Sequence, residues 1–357
     1  MTIVVSYGKS GKEGQLWAEE VVRASNSNVR FVPFNHRQAL GGVSYDSSDR
    51  LDQDYRSRHL RLDILYQQLD SVLTQTGAQC LFVTNDNVYH PDHLLKLPLY
   101  RALYTTDDPG STYTRTIPYL HAFDHVFHCS PSYSATKTLK QKLLECGARR
   151  VDFLPLGVFD FEMEASRGES EVFSQKRDID LIYVGSPFFH KKFNAFLTLT
   201  RAFGHKLKLY GFWRAKHCLY LSLHARRLHW VRPVSLEERV RLYQRAKIGF
   251  NLHWDSHGLG NQRLYHLPAN GVMQICDAPQ CLSEIFRPGR EIIPAHSTKE
   301  MVEKARYYLS HDHDRESIAL GGYRRTVQEY RIAQLLRRAA SQIRGGLEAW
   351  STHAPSR

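Results

Sequence analysis

The feature that most constrains this chain is an alternation, made twice over, of short β-branched runs with longer segments of helical apolar spacing. A parallel sheet with crossover helices is written in sequence this way. In the first half, strands are expected at Ile3 to Ser6, Val29 to Phe34, Cys80 to Thr84, Leu99 to Thr105, His125 to Cys129 and Val151 to Leu154, with helices over Gln15 to Ala24, Leu60 to Thr76 and Tyr133 to Cys146. The polar, glycine-containing stretch Asn35 to Arg58 reads as a long loop. In the second half, strands are expected at Ile179 to Val184, Lys206 to Tyr210, Ile248 to Leu252, Val272 to Cys276 and Glu291 to Ile293. Helices fall over Lys192 to Ala202, Leu236 to Ala246, Asn261 to Asn270 and Thr298 to Leu309, and the chain is helical and Arg-rich from Glu316 onward. At 357 residues it exceeds what one core comfortably organises. The expected division is a doubly wound α/β domain over residues 1–160, a linker over 161–177, a second α/β domain over 178–325, and a basic helix and tail over 326–357.

Composition excludes several classes. With 42% apolar and 24% charged residues the chain is a folded protein rather than a disordered one. No apolar run approaches the roughly 20 residues that cross a bilayer, and MTIVVSYGKSGKEG lacks a basic start followed by a long apolar stretch. Its six cysteines are scattered, with no Cys-x-x-Cys pair, and read as reduced core residues. These features point to a cytoplasmic protein. Its formal charge of +12 favours an anionic partner: nucleic acid, an acidic membrane surface or a phosphorylated ligand.

The charge is unevenly placed. No acidic residue occurs between Asp180 and Glu237, while the interval holds Lys191, Lys192, Arg201, Lys206, Lys208, Arg214, Lys216, Arg226, Arg227 and Arg232. From Arg214 to Arg232 the basic residues are interleaved with Tyr220, His224, His229 and Trp230, which suits a polyanion or a peripheral contact with an acidic membrane. A solvated basic face is the other reading of the same stretch.

In open α/β sheets ligands gather at the carboxyl ends of strands. There stands Gly185-Ser186-Pro187, followed by Lys191 and Lys192 as a helix opens. Glycine lets a diphosphate approach the backbone, and the helix start and lysines supply N–H groups and charge. An ordinary strand-to-helix turn with two solvated lysines would look the same. A second strand ends at Asn251, runs through a loop containing Gly258-x-Gly260, and leads to a helix opening at Asn261. Asn261 and Arg263 would lie in its first turn, within reach of a bound anion. Arg263 stands at the third glycine position of a dinucleotide fingerprint, so that fingerprint is not met.

Asn261-x-Arg263-x-Tyr265-His266-x-x-Ala269-x-Gly271, then Glu284-x-Phe286-x-Pro288-Gly289-x-Glu291, then Glu300 before Tyr307-Tyr308-Leu309 and Ala319-x-x-Gly322, resembles the C-terminal half of the spore-maturation, CgeB-like glycosyltransferases. Thr106-Asp107-Asp108-Pro109 and Phe153-Leu154-Pro155-Leu156-Gly157 are similar, more loosely, to the first half of those proteins. The resemblance implies a GT-B fold: two Rossmann-like doubly wound domains facing a cleft, with a C-terminal helical segment. It also implies an acceptor-side first domain, a nucleotide-sugar donor bound mainly by the second, and no cofactor or obligatory metal. The expected donor residues, from the strand ends and from this motif together, are Gly185, Ser186, Lys191, Lys192, Asn261, Arg263, Tyr265, His266 and Gly271. Where relatives commonly place a glutamate that accepts hydrogen bonds from the nucleotide ribose, this chain has His266, whose neutral ring can accept only one.

An inverting transfer needs a base near the acceptor hydroxyl. Asp86, Asp107, Asp108 and Glu13 follow first-domain strands, and Asp108 beside Pro109 is the preferred candidate; a turn-initiating aspartate is its other reading. His121, His125 and His128 do not form a convincing metal set, and His311-Asp312-His313-Asp314 reads as a polar interhelix turn. The expected function is metal-independent glycosyl transfer to an acceptor that is anionic or membrane-associated. The alternative is a non-catalytic polyanion-binding protein on the same scaffold, with nucleic acid among its ligands.

Overall fold

Six apolar runs of the first half pair into one parallel sheet in the order β2-β1-β3-β4-β5-β6: β1 (Thr2–Tyr7), β2 (Arg30–Asn35), β3 (Cys80–Thr84), β4 (Tyr100–Thr105), β5 (His125–His128) and β6 (Val151–Phe153). They are seen in a computed structural model that describes all residues except 43–44, 46–47, 85–87, 164–167, 188–189, 254–260, 278–280 and 354–357, and all side chains but those of these residues and of 190–191 and 351–353. Strands covered on both faces read as near-continuous apolar runs, and β4 is buried along its whole length. Leu62, Leu65, Leu69 and Leu73, at helical spacing on Leu60–Thr76, fill one side of this core. That helix stops at Gly77, which takes the left-handed conformation a C-cap favours.

Asn35 to Arg58 is not a plain loop. It contains the helices His36–Ala39 and Ser48–Arg56, and the second buries only Leu51. One inward residue in nine leaves no apolar stripe to read. The helix expected from Tyr133 begins at Leu139, because Thr138 and Gln141 form a reciprocal capping box there.

The last helix, Ile332–His353, belongs to this first unit, which comprises Met1–Leu156 and Ile332–Arg357. Its arginines anchor it: Arg337 Nε donates to the Ala24 carbonyl at 2.9 Å and Arg344 to that of Asn28 at 3.1 Å. Gly346 packs so closely on Tyr100 that a Cβ there would lie 2.2 Å from the hydroxyl. Residues 326–357, expected as a separate basic segment, therefore divide at Arg331, and Arg337 and Arg344 donate to backbone carbonyls of the first unit.

The second unit, Gly157–Arg331, holds the other sheet, β11-β10-β9-β7-β8 and parallel throughout: β7 (Ile179–Val184), β8 (Leu207–Tyr210), β9 (Ala246–Asn251), β10 (Met273–Asp277) and β11 (Ile293–Ala295). Phe196 and Leu199 of the helix His190–Phe203 and Cys218 and Leu221 of Ala215–Ala225 cover one face; Leu242, Tyr243 and Leu267 cover the other. The helix Ala215–Ala225 was not expected from the sequence, since its outward positions are as apolar as its inward ones.

Residues 161–177, expected as a linker, are part of this unit. Arg177 donates to the carbonyls of Ala246 at 2.7 Å and Asn270 at 3.0 Å. Glu162 is buried against His266 and Arg239. Polar residues that read as linker composition here satisfy the backbone and charges of the folded unit. Among the described residues no helix is long and apolar enough to cross a membrane, and Cys80, Cys129, Cys146 and Cys218 form no disulfide.

Candidate functional site

β7 and β9 lie side by side in the second sheet, and the chain leaves them in opposite directions, to β8 on one flank and to β10 and β11 on the other. Their carboxyl ends therefore flank a switch point, where such sheets open a crevice for ligands. Arg263 spans it. Its Nε donates to the carbonyl of Val184, the last residue of β7, at 2.9 Å, and its Nη1 to Oδ1 of Asn251, the last residue of β9, at 3.2 Å. The guanidinium also lies 4.2 Å from the centre of the Tyr183 ring, a cation–π contact.

Gly185 makes room for this arrangement, since a Cβ there would lie 2.3 Å from Arg263 Nη2. Its N–H donates to the Tyr210 carbonyl and its own carbonyl accepts from the Trp213 indole, both at 2.8 Å. Gly211 comes as close from β8: a Cβ on it would lie 2.2 Å from the Gly185 oxygen. Two glycines thus let the ends of neighbouring strands touch.

Three polar atoms around the crevice are shut off from solvent with no hydrogen-bond partner among the described residues: Asn251 Nδ2, Asn261 Nδ2 and His253 Nε2. Asn251 gives its oxygen to Arg263, and Asn261 gives its oxygen to the Leu264 N–H at 3.2 Å, so in each only the amide N–H₂ is left over. Each orphaned group costs about 1–3 kcal/mol, a cost that a ligand accepting from it would remove. His253 follows β9 by two residues. Its Nδ1 lies 2.7 Å from Asp277 Oδ1, and its backbone N–H donates to both Asp277 oxygens at 2.9 and 3.0 Å. Cys276 Sγ lies 3.8 Å from the same Nδ1, which makes His253, Cys276 and Asp277 the one cluster of potential metal ligands among the described residues.

The residues expected at the donor site are only partly brought together. Gly185, Asn261 and Arg263 meet at the switch point, with Ser186 next in the turn and Lys192 in the helix it leads to. The Lys191 side chain and Gly258-x-Gly260 lie outside the described residues. Tyr265 is fully buried, packed on Phe286 and Tyr330 with ring centres 6.2 and 5.3 Å away. Gly271 precedes β10 and so stands at the opposite edge of the sheet, where a Cβ would meet Arg177 at 2.5 Å.

His266 turns inward to Glu162, with Nε2 2.9 Å from the carboxylate. Burial alone would push the Glu162 carboxyl up, but His266, Arg239 and the Phe159 N–H together pull it down to about 2. Burial holds His266 below its ordinary value against the pull of that carboxylate, so the ring is neutral at pH 7.

In the first unit Asp108 is buried, accepting from Thr116 at 2.8 Å and Ser111 at 3.4 Å. Burial raises its carboxyl pKa despite these hydroxyls. In this arrangement it organises the segment after β4 and presents no free carboxylate. Asp107 pairs with Arg115 and Glu13 with Lys9, and Asp86 lies outside the described residues. Asn251, His253 and Asp277 were not singled out from the sequence. The signal was available in their positions at or just after strand ends, and what was missing was the order in which the strands pair.

Residues 191–341 match the model of a family described as glycosyl transferase-like. The spore protein CgeB of Bacillus subtilis (strain 168) is 28% identical over 118 residues, which span 30% of this chain and 35% of that protein, about a third of its length. Three solved structures are similar over nearly the whole chain. Sucrose-phosphate synthase from Thermosynechococcus elongatus has a TM-score of 0.61 at 11% identity, covering 98% of this chain and 100% of its own. HepE from Anabaena, in complex with UDP and glucose, has 0.59 at 8%, covering 97% and 100%. UDP-GlcNAc 2-epimerase from Neisseria meningitidis, bound to UDP-GlcNAc, has 0.52 at 11%, covering 96% and 99%. The two Rossmann-like units therefore form a GT-B fold. One of the three similar proteins is an epimerase, so the fold by itself does not select the reaction.

Proposed function

We propose that this chain, CgeB-like in its second unit, is a glycosyltransferase that takes a sugar from a nucleoside-diphosphate donor held at the carboxyl ends of β7 and β9. The observation that carries this reading is Arg263 at the switch point, between a glycine turn and two asparagines whose amide N–H₂ groups have no partner among the described residues. The glycosyl transferase-like match over residues 191–341 supports transfer over epimerisation. When the bond between the sugar and the β-phosphate breaks, charge builds on the departing diphosphate, and a fixed guanidinium stabilises it without reorganising. Arg263 and the two amides then do what a divalent ion does in other transferases.

Two measurements test this. Nucleoside diphosphates should raise the melting temperature of the protein, and transfer or slow hydrolysis of the matching nucleotide-sugar should persist in excess EDTA. Activity lost to EDTA and restored by a divalent ion would overturn the metal-independent part; no response to any of UDP, GDP, ADP or dTDP would overturn the whole.

The acceptor is proposed to be anionic or carried by an acidic membrane, on the strength of the surface over residues 212–230. Phe212, Leu219, Tyr220, Leu223, Leu228 and Trp230 are exposed there, Leu228 by 85% and Trp230 by 75%. Arg214, Lys216, Arg226 and Arg227 stand among them, exposed and without an ion pair among the described residues. Exposed aromatic and aliphatic groups ringed by unpaired cations, with no acid in the interval, suit the headgroup region of an anionic bilayer better than water. The wild type should sediment with phosphatidylglycerol vesicles at low salt and less at physiological salt, where the Debye length is about 8 Å. Arg226→Glu with Arg227→Glu should abolish it. Equal binding by the double variant would leave the patch a solvated face, and preference for DNA over vesicles would favour the polyanion-binding alternative.

A further inference from the structure

Asp277 and His253 form a pair that the donor reading above does not use. The carboxylate can only accept, so the imidazole presents Nδ1–H to it, and the tautomer this selects has its lone pair on Nε2. The orientation is fixed twice, because the backbone N–H of His253 also binds both carboxylate oxygens. Cys276 is occupied as well, donating to the Asp277 carbonyl at 3.4 Å. Within the cluster this leaves His253 Nε2, on a residue only 2% exposed, without a partner among the described residues. A buried acceptor lone pair held in one direction needs a donor to meet it.

Place in the fold says what kind of donor. Arg263 ties the end of β9 to the end of β7, where the diphosphate is expected; His253 leaves the same β9 end toward β10, and Asp277 closes β10. Nitrogen donors line the β7 side and a lone pair lies on the β10 side. A nucleotide-sugar offers both complements: phosphate oxygens that accept and sugar hydroxyls that donate.

We infer that His253, held by Asp277, accepts a hydrogen bond from a hydroxyl of the sugar carried by the donor, and so selects the glycosyl group rather than the nucleotide. This rests on the donor reading and deepens it. A cation bridging the three side chains is the rival, but it would have to displace the Nδ1 proton and break bonds the carboxylate already makes.

The experiment compares a nucleoside diphosphate with its own sugar conjugate. Among UDP, GDP, ADP and dTDP, the one giving the largest thermal shift is taken with its glucose conjugate into calorimetry on the full chain. His253→Phe removes the acceptor. Asp277→Ala removes the acceptor that holds Nδ1–H and with it the fixed direction of the ring. His253→Gln keeps an oxygen near the Nε2 position. The first two should bind the nucleotide-sugar about tenfold more weakly while changing diphosphate affinity less than about threefold, the scale of one lost buried hydrogen bond. His253→Gln should retain most of the sugar's contribution and shows that the pocket tolerates substitution. Equal losses for diphosphate and conjugate, or no loss for either, would overturn the inference. So would stoichiometric zinc or manganese in the wild type that disappears in Cys276→Ser as well as His253→Phe. A wild type that binds none of the four diphosphates overturns the donor reading and takes this inference with it, whereas diphosphate binding with an indifferent His253 sinks the inference alone.

Discussion

Arg263→Ala is expected to weaken nucleoside-diphosphate binding by about 1.5–3 kcal/mol, roughly ten- to 150-fold in Kd, and to lower turnover by more than it lowers affinity. The first number is the scale of a charge-assisted hydrogen bond lost from a partly buried site. The larger effect on turnover follows from timing, since the diphosphate gains negative charge as the glycosidic bond breaks and the missing guanidinium is needed most at that moment. Arg263 also ties the Val184 carbonyl to the Asn251 side chain, so the variant needs a melting curve beside it. Arg263→Lys separates the two roles: it keeps the charge but cannot reproduce the planar fork that reaches both strand ends. It should recover part of the binding and little of the bridging. Calorimetry showing unchanged affinity in a folded Arg263→Ala would remove this residue from the site.

The architecture was legible in the sequence wherever burial imposes a period. β3, β7 and the helix Leu60–Thr76 lie where apolar spacing puts them, because strands buried on both faces and a helix with a leucine stripe have few other ways to be written. What could not be read was polar chemistry serving the fold. Glu162 and Arg177 look like linker composition, and only the folded unit shows that one pairs with His266 and Arg239 while the other caps carbonyls. The C-terminal arginines look like a basic patch, and two of them hold a helix to the first unit through backbone oxygens.

The candidate site divided along the same line. Gly185, Asn261 and Arg263 follow from the rule that ligands gather at strand ends. His253 and Asp277 needed the strand order, which sets β9 beside β10. Tyr265 and His266 sit in the same motif as Arg263, but a helix turns through 100° per residue and points them elsewhere, and Gly271 lies beyond the helix's far end. His266 in particular is matched to Glu162: a glutamate in its place would set a second carboxylate against the first.

That match has a consequence for stability, and replacing Glu162 with glutamine should expose it. Breaking a buried ion pair by removing one partner costs about 3–5 kcal/mol, because the other charge stays buried without compensation. Here the abandoned partner is Arg239, 24% exposed, with the Phe159 N–H also losing a carboxylate oxygen. The energy Glu162 contributes through its carboxyl pKa is of the same order: a drop from an ordinary 4.5 to about 2 is roughly 3 kcal/mol. At 2–4 °C per kcal/mol for a unit of this size, Glu162→Gln should lower the melting temperature at pH 7 by about 10 °C. The dependence on pH follows from the same two groups. His266 has a folded pKa below its unfolded value near 6.5, so the unfolded chain takes up that proton first and stability begins to fall as the pH drops below about 6.5. Glu162, also depressed in the folded state, contributes fully above about pH 4.5 and is lost as the pH falls from there toward 2. Acidification therefore removes both contributions in sequence, and nothing is gained from either group by raising the pH above 7. In Glu162→Gln the second loss should vanish, leaving a shallower fall below pH 4.5 than in the wild type. Melting curves of the two proteins from pH 7 to pH 3 decide it, and parallel curves, or an unchanged melting temperature at pH 7, would show that the Glu162–His266–Arg239 cluster does not stabilise the second unit.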